Sequence, residues 1–130
     1  MKHRVRWTVI LAVAVFSLQV HAVDDSSTAE GHVVSIAIQG LSFNPARITV
    51  APGTTIHWVN RDNVDHDVTS GESITGRKAR SAARTKFPDG RFASGLFGQG
   101  QTFTVSFDKP GKYPYFCSIH PFMKGQVNVR

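Results

Sequence analysis

Cys117, the only cysteine among 130 residues, opens the run Cys117-Ser118-Ile119-His120-Pro121-Phe122-Met123. A thiolate, an imidazole and a thioether follow one another at three-residue steps. A second histidine, His66, stands far upstream beside a stretch that reads as a strand. One cysteine, two histidines and a weak methionine make up the donor set of blue-copper electron-transfer sites. The thiolate is soft and binds copper strongly. Neutral imidazoles suit both copper oxidation states, and a thioether at long range fills an axial position. This mixture meets neither the tetragonal preference of Cu(II) nor the softest choice of Cu(I). A site held between the two rearranges little when an electron arrives or leaves, and low rearrangement means fast transfer.

A lone Cys-x-x-His motif is a weak signal. It is a specific one around the sole cysteine, with a methionine three residues further on and a histidine upstream. Zinc also accepts Cys and two His, but methionine is a poor zinc ligand and nothing here offers water activation, so zinc reads as adventitious. His32 and His57 read as solvent-facing strand positions, and His57 alternates away from Trp58, which is placed in the core. His3 and His21 belong to an N-terminal segment that is removed.

That segment reads as an export signal. Lys2, Arg4 and Arg6 form a positive start, Trp7 to Val20 is apolar, and Val20-His21-Ala22 presents small residues for cleavage after Ala22. The apolar run is shorter than the roughly 20 residues that span a bilayer, and no stop-transfer flank follows, so no stable membrane insertion is expected after cleavage. Removing residues 1–22 leaves about 108, enough for one small domain. Lys2, Arg4 and Arg6 depart with the signal, so the formal charge of +6 falls to about +3. Exported proteins meet an oxidising compartment where cysteines pair. A single cysteine has no internal partner, and its neighbours favour a metal as the explanation.

The elements that must position the donors read as short strands. Residues 23–31 are a polar leader and residues 32–130 the domain. Strands are expected at residues 32–38, 47–50, 54–60, 101–107, 112–117 and 125–129, with a short extended piece at 66–69. Pro52-Gly53 and Pro110-Gly111 mark turns. Gly71 to Gly90 breaks the pattern, a polar basic insert of irregular structure or a turn or two of helix at residues 78–84. Frequent turns with β-branched and aromatic runs give an all-β class, a two-sheet β-sandwich. Two antiparallel sheets would bury Trp58, Phe103, Val105, Phe107, Tyr115 and Val127 between them. The three C-terminal donors then sit on a tight loop between the last two strands, stiffened by Pro121, over a scaffold that holds His66.

These residues resemble the cupredoxins, and within them the amicyanins and their plastocyanin-like relatives. The stretch Tyr113-Pro114-Tyr115-Phe116-Cys117-Ser118-Ile119-His120-Pro121-Phe122-Met123-Lys124-Gly125 carries most of the likeness. Two residues between His120 and Met123 match the short amicyanin loop. Phe43-Asn44-Pro45, Pro52-Gly53-Thr54 and Trp58-Val59-Asn60 add to it. The resemblance covers nearly all of residues 32–130 apart from the insert. It implies a Greek-key sandwich, one copper ion, a soluble one-electron carrier, and His66, Cys117, His120 and Met123 as ligands. One departure stands out. Members of that family usually carry asparagine after the first ligand histidine, where this chain has Asp67. An ionised carboxylate near the sulfur would disfavour the added electron and lower the reduction potential.

The functional expectation is an exported, periplasmic, monomeric carrier working between redox partner proteins, a dehydrogenase or a cytochrome. Arg77, Lys78, Arg80, Arg84, Lys86 and Arg91 form a basic cluster that reads either as a solvated loop or as a docking patch for an acidic partner. Pro121, Phe122, Leu96, Phe97 and Phe92 are candidates for an apolar surface around His120, through whose edge electrons would leave. The alternative is a copper-binding or delivery protein, but such proteins show exposed Met- or His-rich tracts, and only Met1 and Met123 occur here. A multicopper enzyme needs further histidines, commonly flanking the cysteine, where Phe116 and Ser118 stand instead. Nucleic acid is not an expected partner of an exported chain without base-stacking architecture.

Overall fold

The computed structural model describes residues 31–76, 85–120 and 122–130. The export signal, most of the leader, the helical turn expected at 78–84, the insert cations from Arg77 to Arg84, and Pro121 lie outside the described residues. Nine strands are described: β1 Val33–Ile38, β2 Phe43–Asn44, β3 Arg47–Val50, β4 Thr54–Asn60, β5 Thr69–Ser73, β6 Lys86–Ala93, β7 Thr102–Phe107, β8 Gly111–Phe116 and β9 Lys124–Val129. They form a four-stranded sheet in the order β2-β1-β4-β7 and a five-stranded sheet in the order β3-β9-β8-β5-β6. The described residues contain no helix.

Alternation builds the core. In β4, Thr54, Ile56, Trp58 and Asn60 are buried, while Thr55, His57 and Val59 between them are half-buried. The Trp58 ring meets the Tyr115 ring of the opposite sheet edge-on at 5.3 Å, and Tyr115 in turn meets Phe43 at 4.8 Å. Each such fully buried large side chain is worth about 1.5–3 kcal/mol. Of the six expected core residues, Trp58, Phe107, Tyr115 and Val127 are buried, whereas Phe103 and Val105 are only half-buried. They lie on β7, the outer strand of its sheet, where less of the other sheet covers them.

Two expectations need correction. The sheets are mixed: β1 runs parallel to β4, with Ile36 opposite Trp58, and β3 runs parallel to β9. Alternation reports which face a residue takes and carries no sign of its partner's direction. The insert region also supplies two strands. β5 and β6 pair antiparallel across it and extend the second sheet. β6 is mostly exposed and contains Pro88, both features of an edge strand that needs no apolar stripe. Gly71 is the reason the two can close up, since a Cβ there would collide with the backbone at Phe87 and Pro88.

Gly125 plays the same part beneath the candidate site. It lies opposite Tyr115 in the β8–β9 ladder, and a Cβ would overlap the Tyr115 ring. That ring is 1% exposed and wedged between Phe43 and Trp58, so it has nowhere to move. Gly125→Ala should therefore cost about 1–3 kcal/mol through overpacking. Urea unfolding of the metal-free protein measures it, and a wild-type midpoint would contradict the packing argument.

Candidate metal centre

Each donor is placed by a different constraint. Cys117 directly follows β8, and its N–H donates to the Met123 carbonyl at 3.1 Å, closing the loop before β9 begins. Phe122, just before Met123, takes a left-handed φ of 67°, which turns the chain back. His66 is held by a two-way backbone pairing with Phe97, at 3.1 and 2.9 Å. Asn60, fully buried, ties these loops together by donating to the carbonyls of Val64 and Phe97.

The result is convergence. One donor atom each from His66, Cys117 and His120 lie within 4.8 Å of one another. The Cys117 sulfur is 3.4 Å from His120 Nδ1 and 3.9 Å from His66 Nδ1. The two imidazole centroids are 4.6 Å apart. His66 and Cys117 are fully buried and Met123 is 2% exposed, while His120 is half-buried. His120 is thus the one of the three converging donors that keeps contact with solvent. His32 and His57 are not part of the cluster.

Around the sulfur, Asp67 binds both loops. Its Oδ1 accepts from the Ser118 N–H at 2.5 Å, from the Ser118 hydroxyl at 2.9 Å and from the Cys117 thiol at 3.2 Å. Its Oδ2 accepts from Thr69 Oγ1 at 2.5 Å. Burial pushes the Cys117 thiol above its ordinary range. The Asp67 backbone N–H opposes this, the Asp67 carboxylate adds to it, and the backbone N–H groups of Ile119 and His120 again favour the thiolate. A metal taken at this sulfur must displace the thiol proton.

The sequence reading misses two side chains that contact the site. Asp62 Oδ2 lies 2.9 Å from His66 Nε2. A carboxylate only accepts, so Nε2 carries the ring proton and the Nδ1 lone pair is left facing the sulfur. Burial alone would raise the Asp62 carboxyl, but the N–H groups of Leu41 and Gly40, and then His66, outweigh it and hold it below the usual range. Lys86, read as a surface cation, turns inward onto the ligand loop. An acidic residue four positions before His66 is the only sequence sign of the first, and there was none for the second.

The apolar surface is also redrawn. Phe122 is 75% and Leu96 58% exposed, joined by Ile119 at 50%. Phe97 is buried, and Phe92 is half-buried and packs on Trp58 and Phe107. Both turn inward because the sandwich needs their area more than the surface does.

A sequence profile described as copper-binding proteins of the plastocyanin/azurin family matches residues 30–130. The chain belongs to that family. Copper is accordingly the cofactor of this cupredoxin, and His66, Cys117 and His120 suit it as one soft thiolate with two imidazoles. It is 29% identical over 96 residues to amicyanin of Paracoccus versutus, covering 74% of this chain and 64% of that one. It is 28% identical to amicyanin-alpha of Methylorubrum extorquens, covering 91% and 92%. Among solved structures it resembles Paracoccus versutus amicyanin with a TM-score of 0.54 at 26% identity, over 81% and 86% of the two chains. It also resembles a copper-containing nitrite reductase of Thermus scotoductus, with a TM-score of 0.57 at 30% identity. That match covers 75% of this chain and only 22% of the reductase.

Proposed function

We propose that this cupredoxin is an exported, periplasmic, monomeric one-electron carrier, processed after Ala22 to leave a short leader at residues 23–31 and the domain at residues 32–130. In this reading His66 Nδ1, Cys117 Sγ and His120 Nδ1 would hold the copper, and the buried Met123 would add a weak thioether donor. The convergence of three donors within 4.8 Å carries it. Bound copper supplies one-electron chemistry between Cu(II) and Cu(I). The chain contributes a preset geometry, anchored by Asp62 behind His66 and by Asp67 across the two loops. Burial of His66, Cys117 and Met123 keeps water away from the donors. His120, half-buried among Ile119 and Phe122, is the exit toward a docked redox partner, a dehydrogenase or a cytochrome. A closed site of this kind retains its ion, which favours a carrier over a delivery protein. Resemblance to 22% of a reductase gives no reason to assign turnover of a substrate.

Titration of the processed protein with Cu(II) tests the reading. An intense visible band should saturate at one equivalent and bleach reversibly on reduction. Weak absorption at saturation would end the proposal.

Asp67 then sets the potential downward. Its carboxylate lies against the sulfur, and a negative charge there opposes the added electron. Asp67→Asn should raise the reduction potential by on the order of 60 mV, one tenfold step in a one-electron equilibrium. Voltammetry of the two proteins decides it, and an unchanged or lower value would remove Asp67 from this role.

A further inference from the structure

Lys86 opens β6, paired with Ser73 on the neighbouring strand. Its Nζ lies 2.6 Å from the carbonyl oxygen of Cys117, 2.9 Å from that of Ser118 and 2.8 Å from that of His120. An ammonium has three N–H donors and no acceptor, so all three donors are matched. The carbonyls belong to a turn. β8 ends at Phe116 and β9 begins at Lys124, so no strand ladder serves residues 117–120. Charge-assisted hydrogen bonds are the strong kind, and here three meet at one atom. The ammonium also lies 5.9 Å from the centre of the Phe116 ring.

We propose that Lys86 is a positioning residue of the copper site, a cationic clamp that holds the backbone of the ligand loop so that Cys117 and His120 keep their spacing with or without metal. The basic cluster loses one member from its outer face by this use, and Arg91 is likewise engaged, with Asp89 and over the Tyr113 ring. The loop is held between a cation on its carbonyls and an anion, Asp67, on its Ser118 amide. A positive charge this close to the sulfur-bearing residue favours the added electron and opposes the effect of Asp67. The electronic half of the proposal rests on the carrier reading above, whereas the mechanical half does not.

Two variants separate the halves. Lys86→Met removes the donors and the charge, and Lys86→Arg keeps the charge on a planar fork that cannot send three N–H groups from one nitrogen to three carbonyls. Hydrogen exchange in the metal-free protein reads the clamp at the amides of Cys117 and Ser118, which are bonded to Met123 and Asp67. Both should exchange about tenfold faster or more in Lys86→Met, the loss expected for charged hydrogen bonds. The β4 amides of Ile56 and Trp58 should keep their rates, which marks the loosening as local. Lys86→Arg should also exchange faster at the loop. In the copper-loaded protein the potential should fall in Lys86→Met and hold in Lys86→Arg. Unchanged loop exchange in both variants overturns the clamp, and if Lys86→Met does not fold, unchanged exchange in Lys86→Arg alone does so. A potential that holds in Lys86→Met removes the electronic half. Failure to take up copper would sink the carrier reading and leave the exchange result intact.

Discussion

Cys117→Ser should abolish the intense visible band of the copper-loaded protein and cut its absorbance at least about tenfold, because a serine hydroxyl does not ionise near neutral pH and offers no soft donor. Its hydroxyl is smaller than the thiol and can still donate to Asp67, which already accepts from the sulfur at 3.2 Å. The fold should therefore survive, with metal-free stability changed by only about 1 kcal/mol. This separates a metal effect from an unfolding effect, since the loop is closed by a backbone bond from Cys117 to Met123 rather than through the sulfur. Retention of the band in this variant would show that the sulfur is not a copper donor.

Asp62→Ala is expected to weaken copper binding by about 10- to 100-fold, the range for partners that orient a ligating histidine. The carboxylate fixes the His66 proton on Nε2, and it also receives the N–H groups of Gly40 and Leu41 at 2.7 and 3.0 Å. Alanine frees the ring to change tautomer and to rotate. Competition against a chelator of known strength measures the loss, and an affinity within about twofold of wild type would exclude the orienting role. The pH dependence has a definite sign. Asp62 titrates lower in the folded protein than in the unfolded chain. Its stabilisation is therefore complete above the unfolded value and is lost as pH falls through the folded one. The stability gap between wild type and variant should close in acid.

These residues also show why some of the site was legible and some was not. Cys117, His120 and Met123 lie within seven residues, and their donor chemistry is a property of the side chains themselves. His66 could be paired with them from its type and its place beside a strand. Asp67 was visible because it adjoins His66. The buried face of β4 followed from alternation. β5 and β6 did not, because an exposed edge strand is defined by the backbone of its neighbour, and Gly71 with Pro88 looks like a loop until that neighbour is known.

Read alone, the chain determined its all-β class, the apolar stripes of its main strands and the chemical kind of metal it can hold, since these depend on residue types and short spacings. Tertiary structure decided the parallel pairing of β1 with β4, the inward turn of Lys86 and the carboxylate behind His66. Such contacts join groups brought together only when the sheets close. Their strength comes from distance and from shielding against water, and neither quantity is written in the order of the residues.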